Sequence, residues 1–147
     1  MAKTRHRVGI EGSSGSIFGS LTSLNGLSGW WASSATGVVE VGKDIELEFS
    51  DLAVIRFRYL QIIKNQIVEL KCVSGPGPWQ DSTLSIELQE SENQVFVMLT
   101  HQNDNASEDD FLYFSTKWPI YLLSLRDLVE KGSGRPYPRD IKIHLGD

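Results

Sequence analysis

The stretch Glu108–Lys131, EDDFLYFSTKWPIYLLSLRDLVEK, limits what this chain can fold into more than any other. Phe111, Phe114, Trp118, Tyr121, Leu122, Leu125, Leu128 and Val129 recur at steps of three and four, while Thr116, Lys117, Arg126, Asp127, Glu130 and Lys131 fall on the opposite side. That spacing is the apolar stripe of an amphipathic helix. Ser107 followed by Asp110 reads as a capping box, and three acids in the first turn suit the positive end of the helix dipole. Gly132 after Lys131 is a stop. At ~1.5 Å per residue the helix is about 36 Å long and crosses a small domain completely. Its apolar face is rich in rings, so the surface it packs against must be broad and concave.

The chain ahead of it supplies such a surface. Residues 5–11 read as a first strand, with Val8 and Ile10 on one face. Ser13 or Ser14 can cap a helix carrying Ile17, Phe18 and Leu21, Asn25 and Gly26 break it, and a second short turn carries Leu24, Leu27, Trp30 and Trp31. From Thr36 onward the apolar period changes from 3.6 to 2. Residues 37–41 are a strand candidate, followed by alternating runs on Ile45, Leu47 and Phe49; Ile55, Phe57 and Tyr59; Val68, Leu70 and Cys72; Leu84, Ile86 and Leu88; and Val97, Leu99 and His101. These are antiparallel strands with one dry and one wet face, and the outward acids of the 45–49 strand can lie opposite Arg56 and Arg58. A sheet this size has one long helix to cover it and must curl around that helix. The expected fold is α+β, a helix grip: a curved antiparallel sheet of about six or seven strands around one long C-terminal helix, with two short helices after the first strand.

At 147 residues the chain suits one domain, 1–134, with 135–147 as a tail in which Ile141, Ile143 and Leu145 alternate with Lys142 and His144. The tail reads either as an added edge strand, in its own molecule or in a homodimer partner, or as a surface segment lying on its own domain. One cysteine leaves no internal disulfide, and the N-terminal MAKTRHRVGI has no apolar core of a secretion signal. No apolar run approaches the ~18 residues of a membrane span. The net charge of −5, with no basic aromatic stripe, argues against nucleic acid. The expected setting is a soluble cytoplasmic domain without membrane insertion.

Landmarks in this order resemble the SRPBCC superfamily, the START-like lipid-transfer and birch-pollen-allergen-like proteins. Within it the chain looks most like the branch named for activators of the large heat-shock chaperone ATPase. The residues that carry the likeness are LSGWW at 27–31; Trp79 with Ser82 and Thr83 ahead of the 84–88 strand; Leu99, Thr100 and His101; and Phe114, Trp118, Leu122 and Leu125 on the helix, ending at Glu130, Lys131 and Gly132. The resemblance spans residues 5–134 and implies a hydrophobic tunnel between sheet and helix. Its candidate lining is Trp31, Phe57, Tyr59, Leu70, Trp79, Ile86, Leu99, His101, Phe114, Trp118, Tyr121 and Leu122. Two features depart from the pattern. Pro119 removes an N–H inside the long helix and should bend it near Ser115, and the chain continues past Gly134.

His101 shares a face with Val97 and Leu99, so it reads either as an acid or base at the tunnel mouth or as a hydrogen-bonded structural histidine. Asp104, Asp109 and Asp110 read as caps and solvated charges. His6, His101 and His144 are too scattered for a metal site, no GxSxG occurs, and residues 12–15 lack the lysine of a phosphate loop. No cofactor is expected. Trp79, presented by the rigid GPGPW turn, gates the tunnel or plugs the end of the sheet. The leading function is binding of an apolar or amphipathic small molecule, lipids included, oriented by His101, Tyr59, Tyr113 or Tyr121. Two alternatives stand beside it: a cyclase- or dehydratase-like enzyme using His101, which lacks a second inward carboxylate, and an interaction protein that stimulates a chaperone ATPase. Eukaryotic activators of that type carry a further N-terminal domain that these residues do not include.

Overall fold

A computed structural model of the chain describes residues 3–147; Met1 and Ala2, which open the segment read above for a secretion signal and the 1–134 domain, lie outside the described residues. Strand β1, Lys3–Ile10, leads into two short helices, α1 Ser14–Leu21 and α2 Leu24–Trp30. Ser13 caps the first by accepting from Ser16 N at 3.0 Å, and Ser23 caps the second by accepting from Gly26 N at 3.0 Å. The break therefore falls at Thr22 and Ser23 and not at Asn25 and Gly26, which sit inside α2. Gly26 serves packing instead: a Cβ there would lie 2.6 Å from Ser20 Cα, so only a glycine lets the two helices touch.

The strands β2 Ser34–Gly37, β3 Asp44–Phe49, β4 Ala53–Ile63, β5 Ile67–Ser74, β6 Thr83–Glu90 and β7 Val95–Gln102 complete one antiparallel sheet of order β1-β7-β6-β5-β4-β3-β2. The first strand thus pairs with the last, through Thr4 opposite His101 and Ile10 opposite Val95. β2 starts three residues before the 37–41 reading and ends at Gly37, the first residue of that reading. Gly37 adopts φ +115° against β3, where a Cβ would meet Asp44 O at 2.4 Å, and the chain leaves the ladder there with Val38 and Val41 exposed. The expected cross-strand pair of Glu46 with Arg56 forms on the wet face at 2.8 Å, whereas Arg58 takes Asp44, just ahead of the expected strand, at 2.8 Å, and Glu48 stands opposite Val54. Register shifts beside Phe57 and Tyr59 mark bulges that bend the long β4 strand.

Helix α3, Glu108–Lys131, has the capping box of Ser107 and Asp110, and it ends where Gly132 at φ 87° sends its N–H to Leu128 O at 3.0 Å. Phe114, Trp118, Tyr121, Leu122 and Leu125 are buried under it. The helix continues through Pro119. The Ser115 carbonyl that proline leaves without its usual donor accepts from His6 Nε2 on β1, at 3.1 Å. Burial lowers the His6 pKa, and the hydrogen bond to the Ser115 carbonyl works against that shift.

Lys117 overturns the amphipathic reading at one position: placed on the wet side by its chemistry, it is 0% exposed. The tail explains this. Residues 135–147 form no strand; they double back along α3, and Lys117 Nζ lies 2.6 Å from Asp140 Oδ2, 2.5 Å from Asp147 Oδ2 and 3.0 Å from Ile141 O. Arg135 N and the Trp30 carbonyl both bond Ser124 Oγ, at 2.7 Å each, pinning the start of the tail where α2 meets α3. Gly134 is needed in that corner, since a Cβ would lie 2.6 Å from Gly29 O.

Candidate functional site

The space between sheet and helix is filled. Trp31, at the end of α2, stacks on Trp30 with centroids 5.2 Å apart, and lies 5.3 Å from Phe57, 5.5 Å from Trp118 and 6.2 Å from Trp79. Rings in such offset and edge-on contacts each bury large areas and add packing energy beyond area alone. Of the twelve side chains expected to line a tunnel, Trp31, Phe57, Tyr59, Leu70, Ile86, Leu99, His101, Trp118 and Leu122 are buried core and do not line the cleft beside it. Tyr59 spends its hydroxyl on Leu21 O at 2.9 Å, and burial raises its pKa.

The remaining three, Trp79, Phe114 and Tyr121, form the inner wall of a cleft of about 760 Å³. It lies at the N-terminal end of α3. The β3–β4 turn (Phe49, Leu52, Ala53) makes a second wall, the Pro76–Pro78 segment a third, and the tail (Tyr137, Asp140, Leu145, Asp147) closes the outer side. Trp79 is therefore both plug and wall: one face meets the cleft, while its ring lies 5.0 Å from His101 and 6.0 Å from Phe57. Its backbone is tied down by Ser82 Oγ donating to Trp79 O at 2.7 Å and by the Asn103 side-chain amide donating to Pro78 O.

His101 is held as a donor. Trp118 Nε1–H gives a hydrogen bond to His101 Nδ1 at 3.0 Å, and burial lowers the ring's pKa to about 4, so the imidazole is neutral and its proton sits on Nε2. The single lone pair that makes a neutral histidine a base is already engaged. Nε2 itself is buried without a hydrogen-bond partner among the described residues, as are Trp31 Nε1 and Thr4 Oγ1. An unmet buried donor costs about 1–3 kcal/mol, so three close to one core is an unusual concentration.

At the outer wall the electrostatics run through Lys117. Burial pushes its ammonium down, yet the contacts with Asp140 and Asp147 outweigh that and hold it above the ordinary lysine value. Burial likewise opposes the Asp147 charge, and Lys117 with the Ile143 and Leu145 amides holds the carboxyl well below its usual range. Asp140 is shared with Lys142 at 2.6 Å. Asp110, Lys117, Tyr137, Asp140 and Asp147 were absent from the tunnel list. Lys117 carried a signal, because it sits at +3 from Phe114 and −4 from Tyr121, on the buried stripe; its charge masked it. Cys72 is buried with a pKa raised to about 11, which leaves it unreactive. The 12–15 loop faces a carboxylate, Ser14 Oγ donating to Glu90 at 2.6 Å, which is no place for a phosphate. Among the described residues no helix is long and apolar enough to cross a membrane, and no histidine, cysteine and carboxylate groups converge as metal ligands do.

A seven-stranded antiparallel sheet wrapped on one long C-terminal helix, with two short helices after β1, defines a helix-grip domain. The chain belongs to the family described as activator of Hsp90 ATPase homolog 1-like protein, which matches residues 13–130. Its fold is similar to the Aha1 dimer from Colwellia psychrerythraea, 34% identical over 91% of this chain and all of that one, with a TM-score of 0.82. It is also similar to DynU16, a putative protein of the dynemicin biosynthetic locus, with TM-score 0.83 at 10% identity over 91% of this chain and 49% of that one. SSP2350 from Staphylococcus saprophyticus, with TM-score 0.77 at 20% identity over 90% and 94%, shares the fold as well. A search of curated proteins found no match.

Proposed function

We propose that this protein binds an apolar or amphipathic small molecule in the cleft between the N-terminal half of α3, the β3–β4 turn and the tail. What carries the reading is the cleft itself. Its volume of about 760 Å³ falls in the range of ligand sites, and Phe49, Trp79, Tyr113, Phe114 and Tyr121 give it a ring-lined wall. Affinity comes from apolar area removed from water, and orientation from the few polar atoms within reach. The occupant lies beside the aromatic core, because the tunnel space is taken by Trp31, Phe57 and Trp118. Held as a donor, His101 favours binding over base catalysis.

Native mass spectrometry of freshly purified protein, set against the denatured mass, tests this directly. A mass that leaves on denaturation and is lost in Ala53→Trp, which fills the cleft from the half-buried end of β4, supports it. Retention of that mass in Ala53→Trp rejects the cleft as the site.

A second reading, an interaction protein acting as a homodimer on a chaperone ATPase, is favoured by the family match and by the dimeric relative. Val54 and Leu60, exposed on β4, and Val38 and Val41 beside the β2 edge offer apolar surface for it. Light scattering behind size exclusion, and Hsp90 ATPase rates with and without the protein, decide that reading independently of the cleft.

A further inference from the structure

We infer that the cleft has an inner subsite behind Trp79, where His101 Nε2–H takes a hydrogen-bond acceptor of the ligand, and that the ligand is a neutral, flat, mostly apolar molecule with a carbonyl-type oxygen. This rests on the cleft reading above and adds the polar contact that orients the occupant.

His101 is 3% exposed and donates to nothing among the described residues. The two cleft-wall rings that touch it are Trp79, at 5.0 Å, and Phe114, at 4.5 Å and 80°. One ring layer therefore separates a buried donor from the cleft. Trp79 has a second such neighbour: Trp31 Nε1 is also unpartnered, on a ring 6.2 Å away. Thr4 stands opposite His101 in the β1–β7 register, its buried hydroxyl likewise unmatched. Native interiors seldom leave such groups without partners; two of them flank the Trp79 ring and the third stands beside His101, which marks where a polar atom is received.

Trp79 can admit it. The Asn103, Ser82 and Gln80 hydrogen bonds hold the backbone of the turn, so the route we infer is a turn of the Trp79 side chain away from His101 with the loop in place. Charge sets the ligand class. Asp109, Asp110, Asp140 and Asp147 line the cleft and no lysine, arginine or histidine does. The two ammonium groups beside its walls, Lys117 and Lys142, are already paired with Asp140 and Asp147. A carboxylate ligand finds no unpaired cation among the described lining residues, whereas a ketone, ester or amide oxygen needs only a donor. Ring-lined walls favour a flat body.

Three tricyclic probes separate the possibilities: fluorenone, fluorene (the same skeleton without the oxygen) and 9-oxofluorene-4-carboxylate. Binding is followed by calorimetry and by proton–nitrogen spectra of the indole and imidazole groups. Fluorenone should bind about five- to tenfold tighter than fluorene, the worth of one neutral hydrogen bond. The carboxylate should bind weakest. The preference should vanish in His101→Phe, which keeps a ring and loses the N–H, and the His101 Nε2–H resonance should move downfield in the wild-type complex. Equal affinity for fluorenone and fluorene, or a preference that survives His101→Phe, overturns the inner subsite while leaving the cleft reading intact. Binding of neither by the wild type overturns both. Should His101→Phe fail to fold, the wild-type imidazole resonance decides alone: unmoved at saturating fluorenone, it rejects the inference.

Discussion

Replacing Lys117 with Met should release the tail without unfolding the domain. In the native chain the ammonium is 0% exposed and meets three oxygens from residues 140–147. Removing one member of a buried ion pair costs about 3–5 kcal/mol, because the other charge is left in a poor solvent. Here the figure belongs at the low end. Asp140 keeps Lys142, and Asp147 keeps the Ile143 and Leu145 amides at 3.0 and 3.3 Å. The tail also has an escape, since undocking returns both carboxylates to water and caps the loss at its own docking energy. About 3 kcal/mol is a shift of roughly a hundredfold in the docked-to-undocked ratio. Amide exchange at Ile143 and Leu145 should quicken by about that factor, while amides of β6 and β7, far from the contact, keep their rates. The triple variant Lys117→Met, Asp140→Asn, Asp147→Asn should recover most of the protection, because matched removal of buried charges is often neutral. Exchange at Ile143 within threefold of wild type would show that Lys117 does not hold the tail. Loss of protection throughout the sheet would show that the tail is no separable strap.

Acid should weaken the protein through His101. Its folded pKa of about 4 lies below the ordinary 6.5, so the unfolded chain takes up a proton first; stability is full above pH 6.5 and falls by roughly 3 kcal/mol as pH drops to 4. Denaturant midpoints across that window should fall steeply in the wild type and less in His101→Phe, with His6 supplying the residual slope; equal slopes refute the assignment. Tyr59→Phe leaves the Leu21 carbonyl buried without its donor and should cost about 1–2 kcal/mol in a urea titration with no change in cleft binding. His6→Phe should cost about 1 kcal/mol by orphaning the Ser115 carbonyl, and His6→Phe with Pro119→Ala, which restores the helical N–H, should regain it.

Local chemistry made most of the fold readable. The Ser107 and Asp110 cap, the Gly132 stop and the stripe from Phe114 to Leu125 depend on neighbours within a turn or two, and α3 occupies the residues they mark. Period-2 runs gave the inward faces of β3 to β7, and the Glu46–Arg56 pair followed from register alone. The readings that differ are those where the decisive partner lies on another element. Gly26 looked like a turn residue, but it is a contact point with Ser20 on the neighbouring helix.

The sequence by itself determined the order of elements, their caps and which strand faces are dry, because hydrogen bonding along a helix and alternation along a strand are set within a few residues. Only the tertiary structure decided that the tunnel is filled and that a cleft beside it is open. A cavity is the small difference between the volume the sheet encloses and the volume its rings occupy, and it has no period to read. Only the tertiary structure likewise buried Lys117. A lysine can leave water when carboxylates arrive to replace it, and these come from 23 and 30 positions farther along the chain.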